Sequence, residues 1–392
     1  MMAASSSRVD WNAAAANAVV ATLRANGVMH VVISPGSRST PLVVAAAERL
    51  NTTVVLDERV AGFHALGLAR QHGNCALICT SGTAGAHYYP AVIEAALSRT
   101  PLVVMTADRP PELQDCGAPQ TIRQGDLFGC HVRYSATLPT PSNISHVHSA
   151  SKLASRALAE ALGSPRGPVH LNVPFRKPLW QPGVAQSVLP VIPSVTAAVT
   201  GTGGLETVEA ELRDANRPAI FIGPHAPKGA LAAATKLGRN LSIPVLTEMA
   251  SPEQTIAHLE LLLRSGVLCS KLQPDLLIHV GNGPIGRAVI DWLDAFDGAY
   301  IALDPDGWHH STSRAADHVW AGDVTAALER LTECRSAINP DWNARWIHLS
   351  AVASSALEGL SDAMDERTVA TLVSSLRSNI HVASSMPIRD VA

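Results

Sequence analysis

No stretch of this 392-residue sequence is apolar and long enough to span a bilayer, so no membrane span is expected. Runs of like charge are also lacking. With 30 Lys and Arg against 33 Asp and Glu, the formal net charge is -3, without the basic excess that neutralises a phosphate backbone, and nucleic acid is not an expected partner. Met1 to Trp11 has no apolar core, so no signal peptide is read there. Cysteine is sparse: Cys75, Cys79, Cys116, Cys130, Cys269 and Cys334 are scattered, and the closest pair fits neither a zinc knuckle nor a redox CxxC. Buried free thiols in a reducing, cytoplasmic setting are expected. What is present is 47% hydrophobic and 16% charged, enough for two or three domains with cores of their own.

The pattern is that of an α/β protein with successive parallel-sheet domains. From His30 to Asp108, short β-branched runs (VVIS, TTVVLD, CALICT, PLVVMTAD) alternate with alanine-rich ones (PLVVAAAERL, AGFHALGLAR, AGAHYYPAVIEAALS). Thr40 is the expected N-cap of the first alanine-rich helix, with Pro41 at its first helical position. A helix from Ser149 to Gly163 and the strand-like VHLNVP (Val169 to Pro174) complete a first domain, 1–182. Residues 183–204 read as a linker. A central domain, 205–360, follows, with strands expected at 218–223, 243–248, 275–280 and 299–304. After a helix-rich stretch beyond Trp342 comes a strand-like run, NIHVASS (379–385), and residues 361–392 are expected to open a third domain that is cut short.

Four unusual segments each follow a predicted strand: SPGSRST (34–40), DER (57–59), SGTAG (81–85) and TADRPPEL (106–113). Parallel α/β sheets collect ligands at that edge, where loops meet helix N-termini with unpaired N–H groups. Gly36 is expected to permit a tight turn, and Arg38 with two hydroxyls suits a carboxylate or phosphate; the rival is a polar turn with a solvated Arg. Arg109 is placed to face the same cavity, and two arginines suit a substrate with two or more carboxylates. Glu58 precedes a helix rich in small residues (Ala61, Gly62, Ala65, Gly67, Ala69) that suit packing against another chain. There it is expected to be largely desolvated, with a raised pKa that lets it share a proton with a ring nitrogen. The rivals are an ion pair with Arg59 or a surface charge.

Taken together, SPGSRSTPL, LDERVAGFHALGLAR, TSGTAGAHYYPAVIEA, TADRPPELQDCGAPQTIRQ and GPVHLNVPFRKPL closely resemble the 2-succinyl-5-enolpyruvyl-6-hydroxy-3-cyclohexene-1-carboxylate (SEPHCHC) synthase family. These motifs cover residues 34–179, the middle region matches loosely, and NIHVASSMPIRDV resembles the family's entry into its third domain. The resemblance implies the thiamine-diphosphate-enzyme fold, with a pyrimidine-binding domain, a central domain and a diphosphate-binding domain. It implies a transferase that decarboxylates 2-oxoglutarate and adds the succinyl unit to isochorismate in menaquinone or phylloquinone biosynthesis, with active sites between the subunits of a homodimer or homotetramer. Glu58 matches the catalytic glutamate that hydrogen-bonds the cofactor's aminopyrimidine ring. Ser37, Arg38, Arg109 and Gln120 match positions that contact acidic substrate groups, and Ser385 and Arg389 match a polar pair at the start of the third domain. Where the family commonly has Asn-Ser, this sequence has Ser384-Ser385.

The family's cofactor diphosphate is held through Mg2+ (or Mn2+) bound by a Gly-Asp-Gly segment and a later Asn, hard oxygen ligands that suit such a cation. No GDG occurs here, and PDGW (305–308) and FDGA (296–299) have other flanks. Thiamine diphosphate and the metal are therefore expected to need a C-terminal domain, and the chain as given, a fragment, to be inactive alone. Three rivals remain at this point. GNGPIG (281–286), with Asp304 ending the next strand, has the form of a dinucleotide fingerprint, for an NAD- or FAD-binding α/β protein. Another thiamine-diphosphate 2-oxo-acid carboligase or decarboxylase would share Glu58, and a non-catalytic scaffold would share the truncation. His309, His310 and His318 read as a solvated loop rather than a metal site.

Overall fold

A computed structural model describes residues 9–181, 204–248, 255–307, 316–334 and 338–358. The strand-like run at 379–385, Ser385, Arg389, His309, His310, nearly all of the expected linker and the expected opening of a third domain lie outside the described residues. Two compact units divide the chain, Met1–Ala198 and Val199–Ala392.

In the first unit, α1 (Trp11–Ala25) is capped by Asp10, whose carboxylate accepts from Ala13 N at 3.0 Å. Six strands follow: β1 (His30–Ile33), β2 (Asn51–Val54), β3 (Cys75–Cys79), β4 (Leu102–Asp108), β5 (Tyr134–Thr137) and β6 (Val169–Pro174). All pair in parallel, in the order β2-β1-β3-β4-β6-β5. Between them run α2 (Thr40–Ala47), α3 (Glu58–His72), α4 (Tyr89–Leu97) and α5 (Ile144–Leu162). Alternate side chains of one strand serve opposite layers. Val31, Ile78 and Met105 pack with α1, α2 and α5, whereas Val32, Leu77 and Val104 pack with α3 and α4. Strands buried on both faces explain why β3 and β4 read as continuous apolar runs.

Several local expectations are corrected. The first alanine-rich helix is preceded by a 3-10 turn (Ser37–Ser39) and begins at Thr40, with Ser39 as N-cap. The Thr40 hydroxyl donates to Ser37 O instead of capping. The helix expected from Ser149 begins at Ile144, because the Asn143 side chain caps it by accepting from His146 N. β5 was not anticipated: YSAT is a half-buried edge strand without an apolar run. Only Cys75 and Cys79 are buried thiols, with Cys116 and Cys130 exposed; burial pushes Cys75 up to about 12. Ala61, Gly62, Ala65 and Ala69 pack inside their own unit, where a Cβ on Gly62 would lie 2.9 Å from Ala91 Cβ.

The second unit contains α6 (Glu206–Asp214), β7 (Pro218–Ile222), α7 (Ala230–Leu241), β8 (Val245–Thr247), α8 (Leu259–Leu263), α9 (Gly266–Lys271), β9 (Leu276–Val280), α10 (Arg287–Asp294), β10 (Ala299–Asp304), β11 (His318–Ala321), α11 (Val324–Leu331) and α12 (Pro340–Glu358). Its five parallel strands run β11-β10-β9-β7-β8. His318 is half-buried in β11, not in a solvated loop.

The strand order reverses between β7 and β9, the place where a nucleotide would bind. Here the chain closes that place itself. Asn282 N donates to Pro224 O at 2.7 Å and Gly223 N to Val280 O at 2.9 Å, so the two loops are joined through their backbones. A Cβ on Gly223 would lie 1.9 Å from Asn282 O. At the head of α10, Glu248 accepts from Ile285 N (2.7 Å) and Gly286 N (2.6 Å), and buried Glu260 accepts from Ala288 N (3.2 Å). The N–H groups that a pyrophosphate would need are thus taken by two carboxylates of the chain.

Two measurements check this account. Gly36 is extended (φ -178°), yet a Cβ there would lie 2.2 Å from Thr80 Cβ, so Gly36→Ala should cost about 1–3 kcal/mol in urea unfolding, with partial recovery when Thr80→Gly is added. Burial, and secondarily Glu260, raises the Glu248 carboxyl above its ordinary 4.5 despite its two backbone donors. The folded chain therefore keeps that proton to higher pH than the unfolded chain, and the stability this carboxyl contributes falls as pH rises from about 4.5 through the native value. Urea unfolding from pH 4 to 7 should show wild type losing stability relative to Glu248→Gln as pH rises.

Candidate active site

In the first unit the order reverses between β1 and β3, and the loops after these strands meet there. Ser34 N donates to Ile78 O at 2.9 Å, and Gly36 lies against Thr80 with no room for a side chain. The requirement at Gly36 is this close approach, not the tight turn expected from sequence, since its extended φ is open to any residue. Held in this way, the loop turns Ser37 outward and Arg38 inward: Ser37 is exposed and Arg38 is 7% exposed.

Arg38 donates from Nη1 to Phe175 O at 2.8 Å, beyond the end of β6. Burial, followed by the nearby Arg109 guanidinium, lowers its pKa, while Asp108 acts in the opposite sense. The two arginines singled out in the sequence are therefore within electrostatic reach of each other. Arg109 is fixed at both ends: its backbone N donates to Asp108 Oδ1 at 2.7 Å, and its Nη1 donates to Ser81 Oγ. Asp108, 3% exposed, also accepts from Asn172 Nδ2 at 2.9 Å. Around Arg38 and Arg109 two guanidinium groups meet the one carboxylate of Asp108, a local setting that suits an anionic group.

Glu58 is the first residue of α3 and only half-buried, less withdrawn from water in this single chain than expected. Arg59 does not pair with it. Asp57, the N-cap of α3, accepts from Arg59 N (2.9 Å) and takes its guanidinium in two contacts (3.0 and 2.5 Å). Glu58 is left with no hydrogen-bond or ion-pair partner among the described residues. Its charge acts on two groups at the same edge, Cys79 and Tyr88, both pushed up chiefly by burial and further by Glu58. They stay neutral and place no second negative charge beside it. The Tyr88 hydroxyl lies 2.9 Å from Ser34 Oγ and 3.0 Å from Ile78 O, tying α4 to the loop after β1.

Gln120 is exposed and has a left-handed backbone (φ 58°), uncommon away from glycine. It rests on Gly82: a Cβ there would lie 3.0 Å from Gln120 Cγ. Behind this contact stand Ser81 and Thr106, the first residues of two segments singled out in the sequence, and Gln124, Asn172 and His170, which were not, all of them buried. The only hint to Asn172 and His170 was polarity inside VHLNVP, where apolar residues would be routine. Burial pushes His170 down to about 4, so its ring is neutral at ordinary pH.

Residues 13–127 match the family model described as "Thiamine pyrophosphate enzyme, N-terminal TPP binding domain", a span that holds Ser37, Arg38, Glu58, Arg109 and Gln120. Among curated proteins, the chain is similar to the 2-succinyl-5-enolpyruvyl-6-hydroxy-3-cyclohexene-1-carboxylate synthases of three bacteria. Identity is 37% with that of Geobacillus kaustophilus (96% of this chain, 70% of the relative), 36% with that of Myxococcus xanthus (98% and 71%) and 34% with that of Lysinibacillus sphaericus (95% and 69%). The matches reach from one unit into the other at about 70% of each relative's length. A thiamine-pyrophosphate-enzyme domain over residues 13–127 and a similarity of 34–37% identity that spans both units make this chain an enzyme of the SEPHCHC synthase family.

Proposed function

We propose that this edge is the pyrimidine-side half of the active site of a thiamine-diphosphate-dependent carboligase of menaquinone biosynthesis, acting on 2-oxoglutarate and isochorismate. The observation that carries the reading is the pairing of two converging arginines with an unpartnered glutamate at one sheet edge. The donor set fits the pyrimidine end of the cofactor: the Glu58 carboxylate is free to share a proton with a ring nitrogen, and neutral Cys79 and Tyr88 flank it. When bound, thiamine diphosphate supplies a nucleophilic carbon and an electron sink for decarboxylation. Among the described residues no three His, Cys, Asp or Glu side chains are grouped to hold a metal ion.

The chain's own residues then divide the work. Arg38 and Arg109 hold carboxylates of the substrates, and Ser37 and Gln120 border the same place. Ser385 and Arg389, matched to the family by resemblance, lie outside the described residues. Burial of Arg38 removes competing water and strengthens each charge-assisted bond. A second copy of the chain is the natural cover for the open side of Glu58. Val54, Leu56, Val60 and Phe63, which flank it in sequence, are large apolar residues left 50–81% exposed.

In the assembled holoenzyme, Glu58→Gln should lower kcat about 100-fold or more, the usual scale for losing a positioned proton donor or acceptor, with the arginine-dependent KM little changed. Arg38→Ala and Arg109→Ala should instead raise KM for 2-oxoglutarate or isochorismate about 10- to 100-fold, the scale of a hydrogen bond to a charged group. Unchanged KM in both arginine variants would remove the substrate assignment. Sedimentation of the purified chain should give a dimer or tetramer, and Val60→Asp with Phe63→Asp should shift it to monomer.

A further inference from the structure

Gln124 lies in the loop before β5, is 2% exposed, and makes three hydrogen bonds with three different partners. Its Oε1 accepts from Gly82 N at 2.7 Å; its Nε2 donates to Ala107 O at 3.1 Å and to Asn172 Oδ1 at 3.0 Å. It therefore joins the SGTAG loop after β3, the end of β4 and the middle of β6. A primary amide of this length supplies both an acceptor and two donors, and no other side chain satisfies all three.

The direction of these bonds is set from one end. Asp108 is an ionised acceptor and must receive an N–H, so Asn172 turns its Nδ2 toward Asp108 Oδ2 (2.9 Å). Asn172 Oδ1 then faces Gln124 Nε2 and the Thr106 hydroxyl, which donates to it at 3.1 Å. With its proton committed, Thr106 Oγ1 accepts from His170 Nε2 at 2.8 Å. Gln124, holding Nε2 toward Asn172, has only Oε1 left for Gly82. The orientation imposed by one buried carboxylate thus reaches the backbone of the neighbouring loop through two amides.

We propose that Gln124 is a positioning residue for the anion site, carrying this orientation from Asp108 to Gly82. Gly82 has φ 87° and supports the left-handed Gln120, and the adjacent Ser81 accepts from the Arg109 guanidinium. Fixing one peptide group therefore fixes two groups that meet the substrate. The inference rests on the reading of this edge as a substrate-anion site. The titratable groups bound into the network are Asp108 on β4 and His170 on β6, with Arg109 and Arg38 beyond Asp108; Asp126, on the same loop as Gln124, is exposed.

The test follows the Gly82 amide directly. With carbonyl-13C serine and 15N glycine, only the Ser81–Gly82 and Ser265–Gly266 peptide bonds give a correlated NMR signal, and the second reports on the other unit. In Gln124→Ala the Gly82 amide should exchange with solvent at least tenfold faster while the Gly266 signal stays in place. A Gly82 signal unchanged in shift and exchange overturns the proposal.

Gln124→Glu adds a readout that loss of packing alone would not move. Protonated, the new carboxyl accepts from Gly82 and donates to Asn172; ionised, it sets an acceptor against Asn172 Oδ1 and Ala107 O. Gly82 protection and affinity for 2-oxoglutarate should be close to wild type at low pH and fall about tenfold as the carboxyl ionises, with wild type flat over the same range. A pH-independent Gln124→Glu also overturns the proposal. If wild type binds no 2-oxoglutarate, the substrate assignment fails, while the Gly82 signal still decides the role of Gln124.

Discussion

One buried negative charge, Asp108, orders the candidate active site. A carboxylate at 3% exposure is tolerable only if its lone pairs are met, and leaving such a buried group without a hydrogen-bond partner costs about 1–3 kcal/mol or more. Its partners are the backbone N of Arg109 and the amide of Asn172. The first bond aims the chain out of β4 so that Arg109 reaches Ser81; the second sets the amide polarity that ends at Gly82. Burial lowers Arg38, Arg109 lowers it further, and Asp108 offsets part of that effect, so two positive charges stand in close company beside one buried carboxylate.

The two units use one strand plan in opposite ways. Each has an order reversal beside its first strand, β1 in one and β7 in the other. In the first unit the loop after β1 presents Arg38 and hydroxyls, Arg109 joins it from the end of β4, and Gly36 serves contact with Thr80. In the second, the equivalent loops bond to each other through their backbones, and Glu248 and Glu260 fill the helix N-terminus. A Gly-rich turn is therefore compatible with binding and with closure alike. The deciding residues are two glutamates, Glu248 lying 37 positions ahead of Ile285 and Glu260 lying 28 positions ahead of Ala288, too distant for a local motif to register.

Legibility in the sequence followed the same division between local and distant. Strands buried on both faces announce themselves by continuous apolar runs, so β1, β3, β4, β6, β7, β9 and β10 were readable. Edge strands β5 (YSAT) and β11 (HVWA) lack that signal. Arg38 and Arg109 were legible because each follows a strand at the ligand edge, but the reason given for Gly36 was wrong: it meets a neighbour 44 residues away, which spacing cannot reveal. Gln124 was invisible for a related cause, and Asn172 was hinted at only by its polarity inside VHLNVP. Each is an ordinary polar residue until the fold buries it, and their importance lies in whom they face.

Glu58 shows how local chemistry can free a residue for distant use. In DER, three charged residues sit side by side, and the simplest expectation pairs the central acid with the adjacent base. The start of α3 decides otherwise. An N-cap must turn its side chain back over the first helical turn, so Asp57 meets Arg59 N, and the Arg59 guanidinium folds onto the carboxylate already there. That pair is exposed and contributes little to stability. Its effect is to remove the nearest cation from Glu58, which then begins a helix with an uncommitted carboxylate beside neutral Cys79 and Tyr88. Because the cap fixes the pairing, the free acid is a consequence of where the helix begins.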